Sequence, residues 1–112
     1  MEASILETIK KLLGIDPSYT QFDTDVIMGI NSAFMSLNQL GVGPDTCFSI
    51  SGSTKTWGDF FGERIDLDGV KMYIYLKVRL SFDPPQNSFL VESINKEISE
   101  LEWRLNVQAD NI

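Results

Sequence analysis

Apolar residues recur at helical spacing in four stretches of the chain. In the first, from about Ala3 to Leu13, Ile5, Leu6, Ile9, Leu12 and Leu13 share one side. Lys10 and Lys11 fall in its last turn, where cations suit the helix dipole. Gly14 is the expected stop, and Asp16-Pro17 turns the chain. The second helix begins between Thr20 and Asp23, either of which can cap it. Val26, Ile30, Ala33, Leu37 and Leu40 repeat by four and three, with Ile27 and Phe34 widening the stripe. Asn31, Ser32, Ser36 and Asn38 fall on the opposite face. The stripe reads as the core face of a bundle, with a groove for a partner helix as the alternative. Gly41 ends this helix, ahead of Val42-Gly43-Pro44.

The pattern then changes period. Phe48-Ser49-Ile50-Ser51 alternates apolar and polar residues, as a short strand does. Gly52-Ser53 can turn the chain and Thr54-Lys55-Thr56-Trp57 can return it, which predicts a small β-hairpin. A lone two-stranded ribbon is marginal in water, so it needs the chain's own helices or a neighbouring subunit to pack on. Thr56, with Asp59 three residues on, can cap a short helical turn through Trp57, Phe60 and Phe61. These aromatics either close one end of the core or leave Trp57 as an anchor for a partner.

Helical spacing returns from about Asp66 to Phe82, with Asp66 or Asp68 suited to the start. Leu67, Val70, Ile74, Leu76, Val78 and Leu80 leave little polar face, so this third helix is expected at the centre. Tyr73 and Tyr75 can bury their rings and keep their hydroxyls near water. Lys71, Lys77 and Arg79 can lay their stems on apolar surface, with their charges in solvent or on a neighbour's acidic patch. Asp83-Pro84-Pro85 ends the helix. Asn87 or Ser88 can cap the fourth, whose seam is Val91, Ile94, Ile98, Leu101 and Leu105. Glu92 to Lys96 and Glu100 to Arg104 are spaced for i,i+4 pairs, each worth about 0.2–0.5 kcal/mol. Trp103 lies off the seam, either at its flank or on a second contact surface. The expected fold is therefore all-α. Four main helices form one domain over residues 1–112, with the hairpin inserted between the second and third.

Composition narrows the chemistry. The chain of 112 residues is 43% hydrophobic and 11% aromatic, enough for an independent core. It has no histidine and one cysteine, which excludes Ser-His and Cys-His nucleophile pairs, internal disulfides and Cys-rich metal sites. Cys47 has no neighbouring base or cation in sequence, so a reactive thiol is not indicated. The net charge of −7 disfavours a protein that grips nucleic-acid phosphates. No apolar run is long enough to span a bilayer, and Glu2, Glu7 and Lys10 do not suit a signal peptide.

The acidic pairs Asp23/Asp25 and Asp66/Asp68 sit where helix N-termini favour negative charge, and Glu97, Glu100 and Glu102 lie along the last helix. No calcium-loop spacing, phosphate-binding loop or nucleophile elbow is present in the sequence. No enzyme and no cofactor is expected, which leaves binding or assembly. The candidate interaction surface comprises Phe48, Ile50, Lys55 and Trp57 from the hairpin, and Glu97, Glu100, Trp103 and Arg104 from the last helix.

Several segments, in one order, also carry a resemblance. They are Leu12-Leu13-Gly14-Ile15-Asp16, Phe22-Asp23-Thr24-Asp25 leading into Ile30-Asn31, and Leu37-Asn38-Gln39-Leu40-Gly41-Val42-Gly43-Pro44. Thr56-Trp57, Tyr73-Ile74-Tyr75-Leu76-Lys77-Val78-Arg79-Leu80, Phe82-Asp83-Pro84-Pro85 and Glu100-Leu101-Glu102-Trp103-Arg104-Leu105 follow. Together they resemble the small head–tail connector, or head-completion adaptor, proteins of tailed bacteriophages and prophages. The resemblance implies a helical subunit that assembles as a ring of about twelve copies around an axis. It implies a portal protein and a stopper or tail-completion protein as partners, with DNA passing through unbound. The expected location is the head–tail junction of the virion, after assembly in the bacterial cytoplasm. Two other readings remain: a different tail-completion or packaging component, and an acidic helical regulator that binds a host protein.

Overall fold

In the computed structural model, residues 4–44, 46–62 and 69–110 are described. They form five helices: α1 (Ile5–Leu12), α2 (Asp23–Gln39), α3 (Trp57–Phe61), α4 (Gly69–Phe82) and α5 (Ser88–Asp110). Ser4 starts α1 by accepting the Glu7 N–H on its hydroxyl. Gly14 and Gly41 follow the first two helices at positive φ, as their places in the sequence predict. Asn87 begins α5, its side-chain oxygen accepting the Phe89 N–H at 2.8 Å.

α2, α4 and α5 build the frame, and α4 is its centre, with Val70, Tyr73, Ile74, Leu76 and Val78 all buried. α2 runs antiparallel to α4. Phe22 at its start meets Phe82 at the end of α4, with ring centroids 5.3 Å apart. Halfway along, a Cβ on Gly29 would stand only 3.3 Å from Val78, so this glycine sets the close approach of the two helices. α5 returns antiparallel along α4, laying Ile98 and Leu105 into the core and Leu101 against Gly69. At its far end Asn106 donates to the Leu40 carbonyl at 2.8 Å, closing the C-terminal end of α2. Tyr73 is fully buried, and its hydroxyl donates to Glu102 at 2.7 Å rather than reaching water. Burial, then Glu102, push its pKa well above the ordinary phenol value.

The predicted hairpin is not what residues 48–57 form. Among the described residues there is no strand, and the one β-type pairing is an isolated bridge between Ser4 and Thr56. Two contacts explain the difference. Asn31 uses both ends of its amide on Ile50, donating to its carbonyl at 2.9 Å and accepting its N–H at 2.8 Å. Ile5 N–H donates to the Lys55 carbonyl at 3.0 Å. The backbone groups of Ile50 and the Lys55 carbonyl are thus taken up by the helices on either side instead of by a partner strand.

Other expectations shift in detail. The expected start of the third helix at Asp66 or Asp68 lies outside the described residues. Asp23 is the first residue of α2 and not its cap, since Phe22 holds that place and makes no side-chain capping bond. Lys10 falls in the last turn of α1, as the sequence places it, but its side chain turns inward. It is buried, donating to the carbonyls of Pro17 (3.1 Å) and Tyr19 (2.7 Å) and lying 2.7 Å from the Asp23 carboxylate. The short turn capped by Thr56 and Asp59 forms as α3, with both bonds of a capping box in place.

Candidate assembly surface

Three of the hairpin-derived candidates face inward. Ile50 and Trp57 are each 4% exposed, and the half-buried Phe48 packs edge-on against Phe34 and Phe60. The indole N–H of Trp57 donates to the Thr8 hydroxyl at 3.0 Å, so this aromatic closes the core against α1. Lys55 remains exposed, its ammonium 5.8 Å from the centre of the Phe48 ring.

The α5 candidates lie outside. Glu97, Glu100, Trp103 and Arg104 are all exposed. Arg104 and Glu100 form an ion pair at 2.5 Å; solvent-exposed pairs of this kind contribute about 0–1 kcal/mol. Glu97 borders a small recess of about 150 Å³ between α4 and α5, lined also by Leu76 and Leu90.

A broader pattern contains Trp103. Phe89, Lys96 and Trp103 are spaced by sevens, two turns apart, so they share the side of α5 that faces away from the seam. Phe89 is 73% and Trp103 68% exposed, the two largest exposures among the big apolar side chains of the described residues. They stand about 21 Å apart along the helix. Two such aromatics on one face of a single helix exceed the scattered exposure normal for a surface.

α2 has a second unpartnered face. Asp25, Met28, Ser32 and Met35 follow at intervals of three and four, and the two methionines are 66% and 59% exposed. From Val26 to Pro44 no residue carries a charge. Helices bathed in water normally bear charge on their outer side, so this one is unusually adapted to contact. Beside it runs a groove of about 510 Å³ between α2 and the end of α4, bordered by Asp25, Met28, Gly29, Ser32, Ser81 and Phe82. It continues past Ser32 and Ser81 to Lys77, Asn95 and Ile98.

Sequence spacing located Trp103 but passed over Phe89, Lys96, Met28 and Met35. The legible signal was the uncharged run in α2, together with the sevenfold interval that places Phe89 on Trp103's side. Three cations of α4 are occupied locally. Lys71 lies 5.3 Å from the centre of the Trp57 ring, Lys77 5.8 Å from that of Tyr73, and Arg79 donates to the Tyr75 hydroxyl at 3.4 Å. Among the described residues no group of His, Cys, Asp and Glu is placed to hold a metal ion, and no helix is long and apolar enough to cross a membrane.

Comparison with known protein families gives a match over nearly the whole chain. The profile of a family described as phage connector protein aligns with residues 5–112. No curated protein and no solved structure matches the chain.

Proposed function

The chain belongs to the phage connector protein family, and from that membership we propose that it is a subunit of the adaptor ring at the head–tail junction. The ring joins the portal to the stopper or tail-completion protein and extends the DNA channel. The observation that carries this reading is the pair of unpartnered helix faces on α2 and α5, alongside a family match spanning nearly the whole chain. A subunit that meets a neighbour on each side needs two different contact faces, and repeating that contact around an axis closes a ring, here of about twelve copies. The chain's charge of −7 suits a channel through which DNA slides, because carboxylates repel phosphates instead of holding them.

The test is sedimentation of the purified chain with its portal. The adaptor reading expects the chain to travel with the portal at a fixed ratio. A portal that sediments alone under a large excess of chain contradicts it. A monomer without the portal does not, because the portal can act as the template for the ring.

A further inference from the structure

We infer that the ring contact is made by the outer face of α5 from one copy lying along the outer face of α2 from the next, with Lys96 against Asp25. This rests on the adaptor-ring reading and specifies its subunit interface.

Charge and shape select the partner. Every copy carries −7, so two copies approach only where their faces are charge-poor or complementary. The α2 face has a single charge, Asp25, at one end of a row of Met28, Ser32 and Met35. The α5 face has a cation, Lys96, midway between Phe89 and Trp103, with Glu92 four residues before it and Glu100, paired with Arg104, four residues after it. Both residues are exposed, and neither has a partner among the described residues. Their spacing is commensurate. Lys96 is seven residues from either aromatic, and Asp25 is seven residues from Ser32, about 10.5 Å in each case. With Lys96 on Asp25, Phe89 or Trp103 therefore lands at Ser32, between the two methionines and over the groove of about 510 Å³. Thioethers pack well on aromatic rings and adapt to their outline. Two aromatic faces laid on each other would join copies only in twos and leave no ring. The contact is heterologous, as ring closure requires.

Cysteine cross-linking tests it. Cys47 is exposed and is first replaced (Cys47→Ser), after which Asp25→Cys and Lys96→Cys are made singly and together. Each full-length variant is mixed with portal and treated with a short bis-maleimide. The paired variant is expected to give a ladder of dimers, trimers and longer covalent multimers, and each single variant to stay monomeric on a denaturing gel. Single variants that dimerise as well as the pair would mean like faces meet, which overturns the contact. A pair that stays monomeric while rings are visible by electron microscopy also overturns it, and assigns these faces to the portal or the tail-side protein. Charge reversal is the second readout. Asp25→Lys and Lys96→Asp should each reduce ring formation at least tenfold, and their combination should restore it. Singles that assemble like the parent chain count against the contact. Failure of the parent chain itself to form rings on the portal would remove the ring reading and this interface with it.

Discussion

Lys10 shows how one side chain joins three pieces of backbone. Its ammonium is enclosed by two carbonyls of the turn after α1 and by the carboxylate at the start of α2. The Lys10 side chain is 2% exposed and that of Asp23 25%, so the pair is mostly removed from water. Lys10→Ala leaves a shielded carboxylate and two carbonyls unsatisfied, and should cost about 3 kcal/mol in urea unfolding. Replacing both partners, Lys10→Met with Asp23→Ala, should cost less than Lys10→Ala alone. Two glycines offer a similar contrast. Gly41 has φ +81° with open space around it, so Gly41→Ala should cost about 1–2 kcal/mol for the left-handed backbone alone. Gly43 has φ +99°, and an added Cβ would meet the Phe60 ring at 2.6 Å. Gly43→Ala should therefore cost about 1–3 kcal/mol more than Gly41→Ala, because a buried ring must move.

At the scale of elements, α1, α2 and α4 were readable because each carries a helical period with a glycine or proline just beyond it, and α5 because of its long apolar seam. The segment from Phe48 to Thr56 was not, because its alternation is the pattern of any chain that turns every second side chain inward. What decides its conformation is Asn31, nineteen residues earlier, whose amide was legible only as one more polar residue on the far face of a helix. Asn31→Ala should leave both polar groups of Ile50 unpaired and cost about 1–3 kcal/mol, with hydrogen exchange rising first across residues 46–56. The cap of α3 was legible, since Thr56 and Asp59 have the right spacing. Bonding to the Thr56 N–H holds the Asp59 carboxyl below its ordinary value of 3.8. Because the folded value is the lower one, this stabilisation is present above that ordinary value and is lost as pH falls through the folded pKa. An NMR titration should show Asp59 protonating below pH 3.8, with loosening of α3 in step, and Asp59→Asn should remove the coupling. The seam of α5 was legible as well. Its outer face was only half so, because Trp103 stands out in a sequence whereas its alignment with Phe89 depends on where the helix begins.

Over the whole molecule, α5 serves two surfaces. Inward it covers α4, where Tyr73 and Leu76 would otherwise meet water, and outward it presents the aromatic face. A chain ending after Pro85 should therefore lose cooperative thermal melting by circular dichroism, not merely its partner contacts. Phe89→Ser with Trp103→Ser should do the reverse, leaving the melt intact because both side chains already stand in solvent, while reducing assembly. The family was legible in sequence because it rests on ordered segments along the whole chain. The contact faces were less so, because an interface appears as a lack of charge on one side of a folded helix, and that side is fixed only by the rest of the bundle. The most direct measurement is electron microscopy of the portal mixed with the full-length chain. The account predicts an added ring of density on the portal, coaxial with its channel, with neighbouring copies touching through α2 and α5. Portals that remain bare at saturating chain concentration would contradict it.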